Sequence, residues 1–462
     1  MSEMQGRGRR GAMAATTRRQ FLGTAALGAG AMLTAASSHA QAAAPKAARP
    51  NILFILCDQL GLDAISAHGC PDVHTPNIDR LVARGMTFIE SHSTSPVCSP
   101  ARSSLLTGRM PTETGVITND RPIHDSVPDL GQWLRQADYD TAYCGKWHLP
   151  HGYPAELAGF RVLPVGAAQG DLVDEVVARS CQAYLRNRDR SRPFMLVASY
   201  MHPHDICYWA IKGRDIVPEE LAFPLLEGRL PELPPNHRSR PAAPAHLDKM
   251  AYKQFSDAQW RYYLYVYYRQ VEMLDADVGR LLDALEDSGE ADNTIVAFTA
   301  DHGDGRGRHQ HVQKWYPYEE AVKTPLVFSW PGEIAEGVRD AGRLVSGVDM
   351  MGTLCDYAGV DPPRTTVGRN LRPILEQRDA PWRDYLVFDT HVIGRTVRTA
   401  QYKYVRYEGD PVEQLFDMVA DPWETVNLYQ EARYADVVAD HRKMLEEWTE
   451  RLEPVEPTSS AV

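Results

Sequence analysis

Pro50-Asn51-Ile52-Leu53-Phe54-Ile55-Leu56-Cys57-Asp58 is an apolar run, unbroken from Ile52 to Cys57, that stops at a carboxylate. With no polar residue alternating along it, it reads as a strand covered on both faces, the pattern of a parallel sheet. Three further runs share this texture: Phe194-Met195-Leu196-Val197-Ala198-Ser199-Tyr200, Thr294-Ile295-Val296-Ala297-Phe298-Thr299 and Leu326-Val327-Phe328-Ser329-Trp330. Polar residues follow each run, and two of them lead into histidine and aspartate, at His204-Asp205 and Asp301-His302. Ligands in open parallel sheets bind beyond the carboxyl ends of the strands, so Asp58, His204 and Asp301 stand where a site would form.

Helical patterns lie between the runs. Val271, Leu274, Val278, Leu281, Leu282 and Leu285 fall on one helical face, and Asp79-Arg80-Leu81-Val82-Ala83-Arg84-Gly85 reads as a short helix with a glycine stop. The alternation predicts an α/β fold: a mostly parallel central sheet flanked by helices. Residues 205–262 are rich in Pro and His without a clean period and read as a long, partly helical insertion near the site entrance. Near residue 385 the texture changes. Thr396-Val397-Arg398-Thr399 and Tyr402-Lys403-Tyr404-Val405-Arg406-Tyr407 alternate like half-exposed strands, Leu415-Phe416-Asp417 follows, and a helical stretch at 435–452 closes the chain. This predicts a catalytic domain over 50–384 and a C-terminal subdomain over 385–462, built as a small antiparallel sheet plus one helix.

The chain has 462 residues, 44% of them hydrophobic and 24% charged, so a large core is feasible. A net charge of -12 argues against a nucleic-acid partner but leaves room for a locally basic pocket that takes an anion. The seven cysteines form no CxxC pair and no zinc-finger spacing, and read mostly as buried thiols. Before the first strand, Arg7, Arg9 and Arg10 precede Thr17-Arg18-Arg19-Gln20-Phe21-Leu22, an Ala/Gly/Leu-rich stretch to Ala36, and the small-residue site Ser38-His39-Ala40. Residues 1–40 therefore read as a Tat-type export signal and 41–49 as a linker, with the mature protein periplasmic or extracellular and without a membrane anchor.

The segment that carries chemistry is Cys98-Ser99-Pro100-Ala101-Arg102. It fits Cys-x-Pro-x-Arg and continues into Ser103-Ser104-Leu105-Leu106-Thr107-Gly108-Arg109; Gly145-Lys146-Trp147-His148, Pro203-His204-Asp205 and Thr299-Ala300-Asp301-His302-Gly303 follow in order. With these motifs the chain resembles the type I, formylglycine-dependent sulfatases of the alkaline phosphatase superfamily over nearly its whole mature length. Leu415-Phe416-Asp417, Asp421-Pro422-Trp423-Glu424 and Asn427-Leu428 are similar to that family's tail, and His202-Pro203-His204-Asp205-Ile206-Cys207 resembles bacterial polysaccharide sulfatases in particular.

The resemblance implies an alkaline-phosphatase-like sheet and a hydrolase acting on sulfate esters. Cys98 would be oxidised to formylglycine by a formylglycine-generating enzyme. Asp58, Gln59, residue 98, Asp301 and His302 would hold a divalent metal, calcium first, with Mg²⁺ or Mn²⁺ also compatible. Many family members carry a second aspartate where this chain has Gln59, which can ligate through its carbonyl or face the substrate instead. Arg102 would stabilise the hydrated aldehyde, and Lys146 would bind it together with a sulfate oxygen. His148 would take the proton during sulfate elimination, and His204 and Lys314 would hold sulfate and protonate the leaving oxygen. The chemistry explains these residue types: a negatively charged ester repels nucleophiles, so cleavage needs cations around the sulfate, an activated nucleophile and an acid. The glycine-rich stretch 304–311 reads as a loop at the mouth, with His309 or His311 either touching substrate or facing solvent; His202 is a substrate contact or a packed neighbour. The expected partner is a sulfated saccharide. A phosphonate or phosphate-diester hydrolase of the same fold, and an inactive sulfate-binding homologue, remain as alternatives.

Overall fold

The computed structural model describes residues 49–149, 157–164, 174–209, 224–247, 253–390 and 394–457. Residues 1–40, read from sequence as an export signal, lie outside them, as do residues 41–48, 210–223 and 248–252. In chain order the strands of the main body are β1 (Asn51–Asp58), β2 (Met86–Phe88), β3 (Ser91–His92), β4 (Asp140–Gly145), β5 (Arg161–Val162), β6 (Phe194–Pro203), β7 (Thr294–Ala300), β8 (Leu326–Ser329), β9 (Val338–Asp340) and β10 (Val345–Ser346). Eight of them form one sheet in the order β5-β4-β6-β1-β7-β8-β2-β9, and β3 pairs with β10 beside it.

β1 is central, parallel to β6 on one side and to β7 on the other, and every one of its residues is buried. Its side chains alternate between the two faces of the sheet. Leu53, Ile55 and Cys57 join a core built with Val271, Leu274, Val278 and Leu281 of the long helix Asp257–Asp287. Ile52, Phe54 and Leu56 join a second core with Leu105, Leu106 and the helix Asp349–Ala358. Each such fully buried side chain contributes about 1.5–3 kcal/mol, so β1 anchors both layers and fixes where its last residue, Asp58, stands.

The run at Leu326–Ser329 was expected to be parallel, but β8 runs antiparallel to both β7 and β2. Thr299 pairs with Leu326, so residues 301–325 leave and re-enter the sheet at the same edge; an apolar run reports burial on two faces and carries no direction. The helix on the Val271–Leu285 face starts at Asp257, inside the stretch read as insertion. Ser256 and Gln259 form a capping box at its start, with Gln259 N–H donating to Ser256 Oγ at 3.2 Å and Ser256 N–H to Gln259 Oε1 at 2.9 Å.

Beyond the main sheet, β11 (Tyr385–Thr390), β12 (Gly394–Thr399), β13 (Tyr402–Tyr407) and β14 (Gln414–Asp417) form the expected small antiparallel sheet, with four strands. The helix Ala435–Glu450 covers one face through Val438 and Leu445, packed on Val397, Tyr404 and Leu415. The other face presents Val405, Tyr407 and Phe416 to Tyr316 and Tyr318 of the main body. Lys403, fully buried, ties the two together with Nζ 2.7 Å from Glu319 Oε1 and 2.7 Å from Glu424 Oε1. All seven cysteines are buried and unpaired. Among the described residues no helix is long and apolar enough to cross a membrane.

Candidate active site

Four strand ends deliver the site. Asp58 closes β1, Asp301 follows β7, Lys146 follows β4, and His204 follows β6. Gly145 at the end of β4 has φ 98°, and a Cβ there would lie 1.9 Å from the Ser199 carbonyl oxygen. That close approach lets the chain turn and places Lys146 Nζ 2.6 Å from Asp58 Oδ2. Gln59 also has positive φ, 68°, and its N–H donates to Asp301 Oδ1 at 3.1 Å, so the ends of β1 and β7 are laced together.

Opposite these ends, the helix Cys98–Thr107 begins at Cys98 and is buried along its whole length. A helix start turns the positive end of its dipole toward residue 98, which favours an anion. Cys98 Sγ lies 3.2 Å from His302 Nε2 and 3.8 Å from Asp58 Oδ1. One turn along, Arg102 fills the floor. Its Nη2 donates to Asp58 Oδ2 at 2.9 Å, its Nε to Asp301 Oδ2 at 2.8 Å, and its Nη1 to the Lys146 carbonyl at 2.8 Å and Ser199 Oγ at 2.9 Å. Cysteine and arginine four apart on one helix thus point to the same pair of carboxylates.

The electrostatics favour negative charge at residue 98. Burial and Asp58 push the Cys98 thiol up, but Lys146, Lys314 and His302 more than offset them and hold it well below the ordinary thiol value. Burial also works against the Asp58 carboxylate; Lys146, His204 and Arg102 nevertheless keep it well below its usual range. Asp301 is pushed up by burial and by the Asp58 charge beside it. Burial, then Lys146 and Lys314, lowers His204 to about 3, and burial with Lys146 also lowers His148. Both imidazoles are therefore neutral near neutral pH, while burial is outweighed at His302 by Asp301 and Cys98, which raise it.

One donor atom from each of Asp58, Cys98, Asp301 and His302 lies within 4.8 Å of the other three. Two carboxylates and an imidazole beside residue 98 suit a hard divalent cation. A positive charge among them would also relieve the repulsion that pushes Asp301 up, so the donor set fits a metal. The Gln59 amide is fixed by side chains: Oε1 accepts from Lys314 Nζ at 2.7 Å and from Cys207 Sγ at 3.3 Å, and Nε2 donates to Asp304 Oδ2 at 2.6 Å. The structure thus brings Cys98, Arg102, Lys146, Asp58, Asp301 and His302 into direct contact and links Lys314 to Gln59. His148 and His204 are buried beside them, each within hydrogen-bonding reach of Cys98, and His148 Nε2 lies 3.5 Å from Asp120 Oδ1.

The 304–311 stretch is not a solvent-facing loop. Asp304, Arg306, His309 and His311 are buried. His309 accepts from Asn236 Nδ2 at 3.1 Å, meets the Ser239 carbonyl at 3.1 Å, and lies 4.3 Å from the Tyr318 ring; His311 lies 4.7 Å from Tyr316. His202 packs against Asp174, Nδ1 to Oδ2 3.6 Å. Sequence reasoning passed over Asp304, Tyr263 and Asn119. Asn119 Oδ1 accepts from the Ser99 N–H at 3.0 Å, and Tyr263 Oη donates to Asp304 Oδ1 at 2.9 Å. The signal for Asp304 was its place two residues after His302; Tyr263 and Asn119 had none.

A sulfatase family model matches residues 50–360, and a model described as N-sulphoglucosamine sulphohydrolase, C-terminal, matches residues 307–451. A delta 4,5-hexuronate-2-O-sulfatase of Bacteroides thetaiotaomicron is 29% identical, the match covering 89% of this chain and 91% of the relative. Among solved structures, a 2-O GAG sulfatase superimposes with a TM-score of 0.76 at 26% identity, covering 89% of this chain and 98% of the other. A phosphonate monoester hydrolase of Agrobacterium radiobacter shares the fold, with a TM-score of 0.71 at 24% identity, 87% of this chain and 96% of the other. With two thirds of its length matched by the family model, and with the Cys98 helix, the carboxylates and the lysines assembled at the strand ends, the chain belongs to the sulfatase family.

Proposed function

We propose that the protein removes sulfate from carbohydrate sulfate esters by attack of a hydrated formylglycine, made from Cys98, on sulfur. The observation that carries this reading is the convergence of residue 98 with Asp58, Asp301 and His302 within 4.8 Å, in a pocket that also holds Lys146 and Lys314. The fit of the donor set supports calcium as the bound ion, with Mg²⁺ or Mn²⁺ admitted by the imidazole of His302. When bound, the ion draws electron density from the sulfate oxygens.

The chain's own residues supply the rest. The hydrate has two hydroxyls, held against Arg102 and Lys146. One gives its proton to solvent and attacks sulfur, forming a new S–O bond as the S–O bond to the alcohol breaks and its electron pair moves onto the alcohol oxygen. Lys314, which keeps its proton, stabilises charge on the leaving oxygen. His204, neutral between two lysines, gains a proton once the anionic sulfate lies beside it and passes it to the alcohol. His148, also neutral, then takes the proton of the second hydroxyl; the aldehyde re-forms and sulfate leaves with the electron pair. A serine at residue 98 has no second hydroxyl and would remain sulfated.

The name of the hexuronate-2-O-sulfatase relative supports a saccharide substrate. The twin-arginine segment at Arg18-Arg19 supports export to the periplasm or beyond, where polymer-derived sulfated sugars are met. The test is a panel of defined sulfated saccharides with chromatographic detection of the desulfated product, beside an aryl sulfate and an aryl phosphonate ester. Release from a saccharide sulfate at the higher kcat/KM bears the reading out; a higher kcat/KM on the phosphonate ester overturns it.

A further inference from the structure

Behind the reacting groups lies a buried chain of hydrogen bonds that ends on Lys314. Asp304, fully buried, accepts from Gln59 Nε2 at 2.6 Å, from Tyr263 Oη at 2.9 Å and from the Arg306 N–H at 2.8 Å. Gln59, also fully buried, passes the polarity on: its Oε1 accepts from Lys314 Nζ at 2.7 Å and from Cys207 Sγ at 3.3 Å. A primary amide is donor at one end and acceptor at the other. Turned over, it would set oxygen against the Asp304 carboxylate and NH₂ against an ammonium, two mismatches in a site closed to water. The carboxylate therefore decides which way the amide faces.

We infer that Asp304 is a positioning residue: its carboxylate locks the Gln59 amide with the carbonyl oxygen toward Lys314, and so fixes the ammonium that binds sulfate. Tyr263, from the helix Asp257–Asp287, holds the carboxylate in turn, so the relay runs from that helix into the site. This rests on the sulfatase reading for the role of Lys314, while the polarity of the relay stands on the geometry alone. Supporting groups of this kind typically change activity about 10- to 100-fold when altered.

The test exchanges polarity. In Gln59→Glu two carboxylates face each other; in Asp304→Asn the lock on the amide is lost. Each single variant lowers kcat/KM and weakens inhibition by inorganic sulfate by about 10- to 100-fold. In the double variant Gln59→Glu/Asp304→Asn, residue 304 can donate to a carboxylate at 59 that still accepts from Lys314, and both quantities return to within about tenfold of the unaltered protein. A double variant as impaired as the worse single, or more so, overturns the inference. A merely structural role for Asp304 gives no such rescue, because the loss of melting temperature would add instead. If Asp304→Asn fails to fold, Gln59→Glu against the double variant keeps the comparison, since adding the second change must raise activity. The pattern is read on whichever ester the unaltered protein turns over, so an error in the substrate reading does not mask it.

Discussion

Arg102 Nε lies 2.8 Å from Asp301 Oδ2, with both side chains closed to solvent. The same guanidinium reaches Asp58 at 2.9 Å, so one planar fork spans two carboxylates from different strands, a geometry that a lysine cannot copy. Removing one member of such a buried set leaves uncompensated charge. Arg102→Met is expected to lose about 3–5 kcal/mol of stability, seen as a lower urea midpoint, together with all turnover. An unchanged midpoint would mean that the two carboxylates are not held by this residue.

At residue 98 the expectation separates chemistry from folding. Cys98→Ala should abolish turnover and leave the melting temperature within a few degrees, because only one small buried atom is lost. Cys98→Ser should be nearly inactive too, since the sulfated serine cannot expel sulfate by elimination. Activity equal to the parent in either variant would remove residue 98 from the reaction.

Much of this site was legible in the sequence because its residues sit at the ends of apolar runs. Asp58 and Asp301 close the strands at 51–58 and 294–300 that pair directly, and Cys98 carries Arg102 four residues on. What escaped was set by packing across the fold. The direction of β8 depends on where residues 301–325 return, not on the composition of the strand. Asp304 reads from sequence as part of a glycine-rich loop at the mouth, yet Tyr263 and Gln59, 41 and 245 residues away in sequence, hold it in the interior. His309 reads from sequence as either a substrate contact or a solvent-facing residue and is instead buried and hydrogen-bonded, against Tyr318.

That burial gives His309 a pH signature. Burial, with Arg308 and Lys403 nearby, pushes its imidazole down to about 4, and its Nε2 accepts from Asn236. A histidine depressed in the folded state binds protons more readily when unfolded. Its contribution is therefore complete above the ordinary value of about 6.5 and is lost as pH falls toward about 4. The loss is on the order of 3 kcal/mol. In His309→Gln the slope of unfolding free energy between these two pH values should flatten; an unchanged slope would assign it to other groups.

Lys403 tests the seam between the two sheets. With Nζ 2.7 Å from both Glu319 and Glu424, its replacement by methionine strands the buried Glu424 carboxylate and leaves Glu319 to Lys323 and Arg398. A loss of about 3–5 kcal/mol is expected, with substrate turnover retained at temperatures where the variant is folded. Loss of turnover in the folded variant would place this seam within the site.

Removal of divalent ions should lower activity and melting temperature together, because an ion that binds only the folded chain stabilises it by mass action. Calcium should restore both. Activity that survives exhaustive chelation would rule out the role given to Asp58, Asp301 and His302.

The most direct measurement is the mass of the peptide that contains residue 98, taken from active protein collected after export. An aldehyde in place of the thiol makes that peptide lighter by about 18 Da, and hydrolysis of the saccharide sulfate should rise in proportion to the converted fraction. Full activity in protein whose peptide carries an intact thiol would contradict the nucleophile, and with it the route by which sulfate is released.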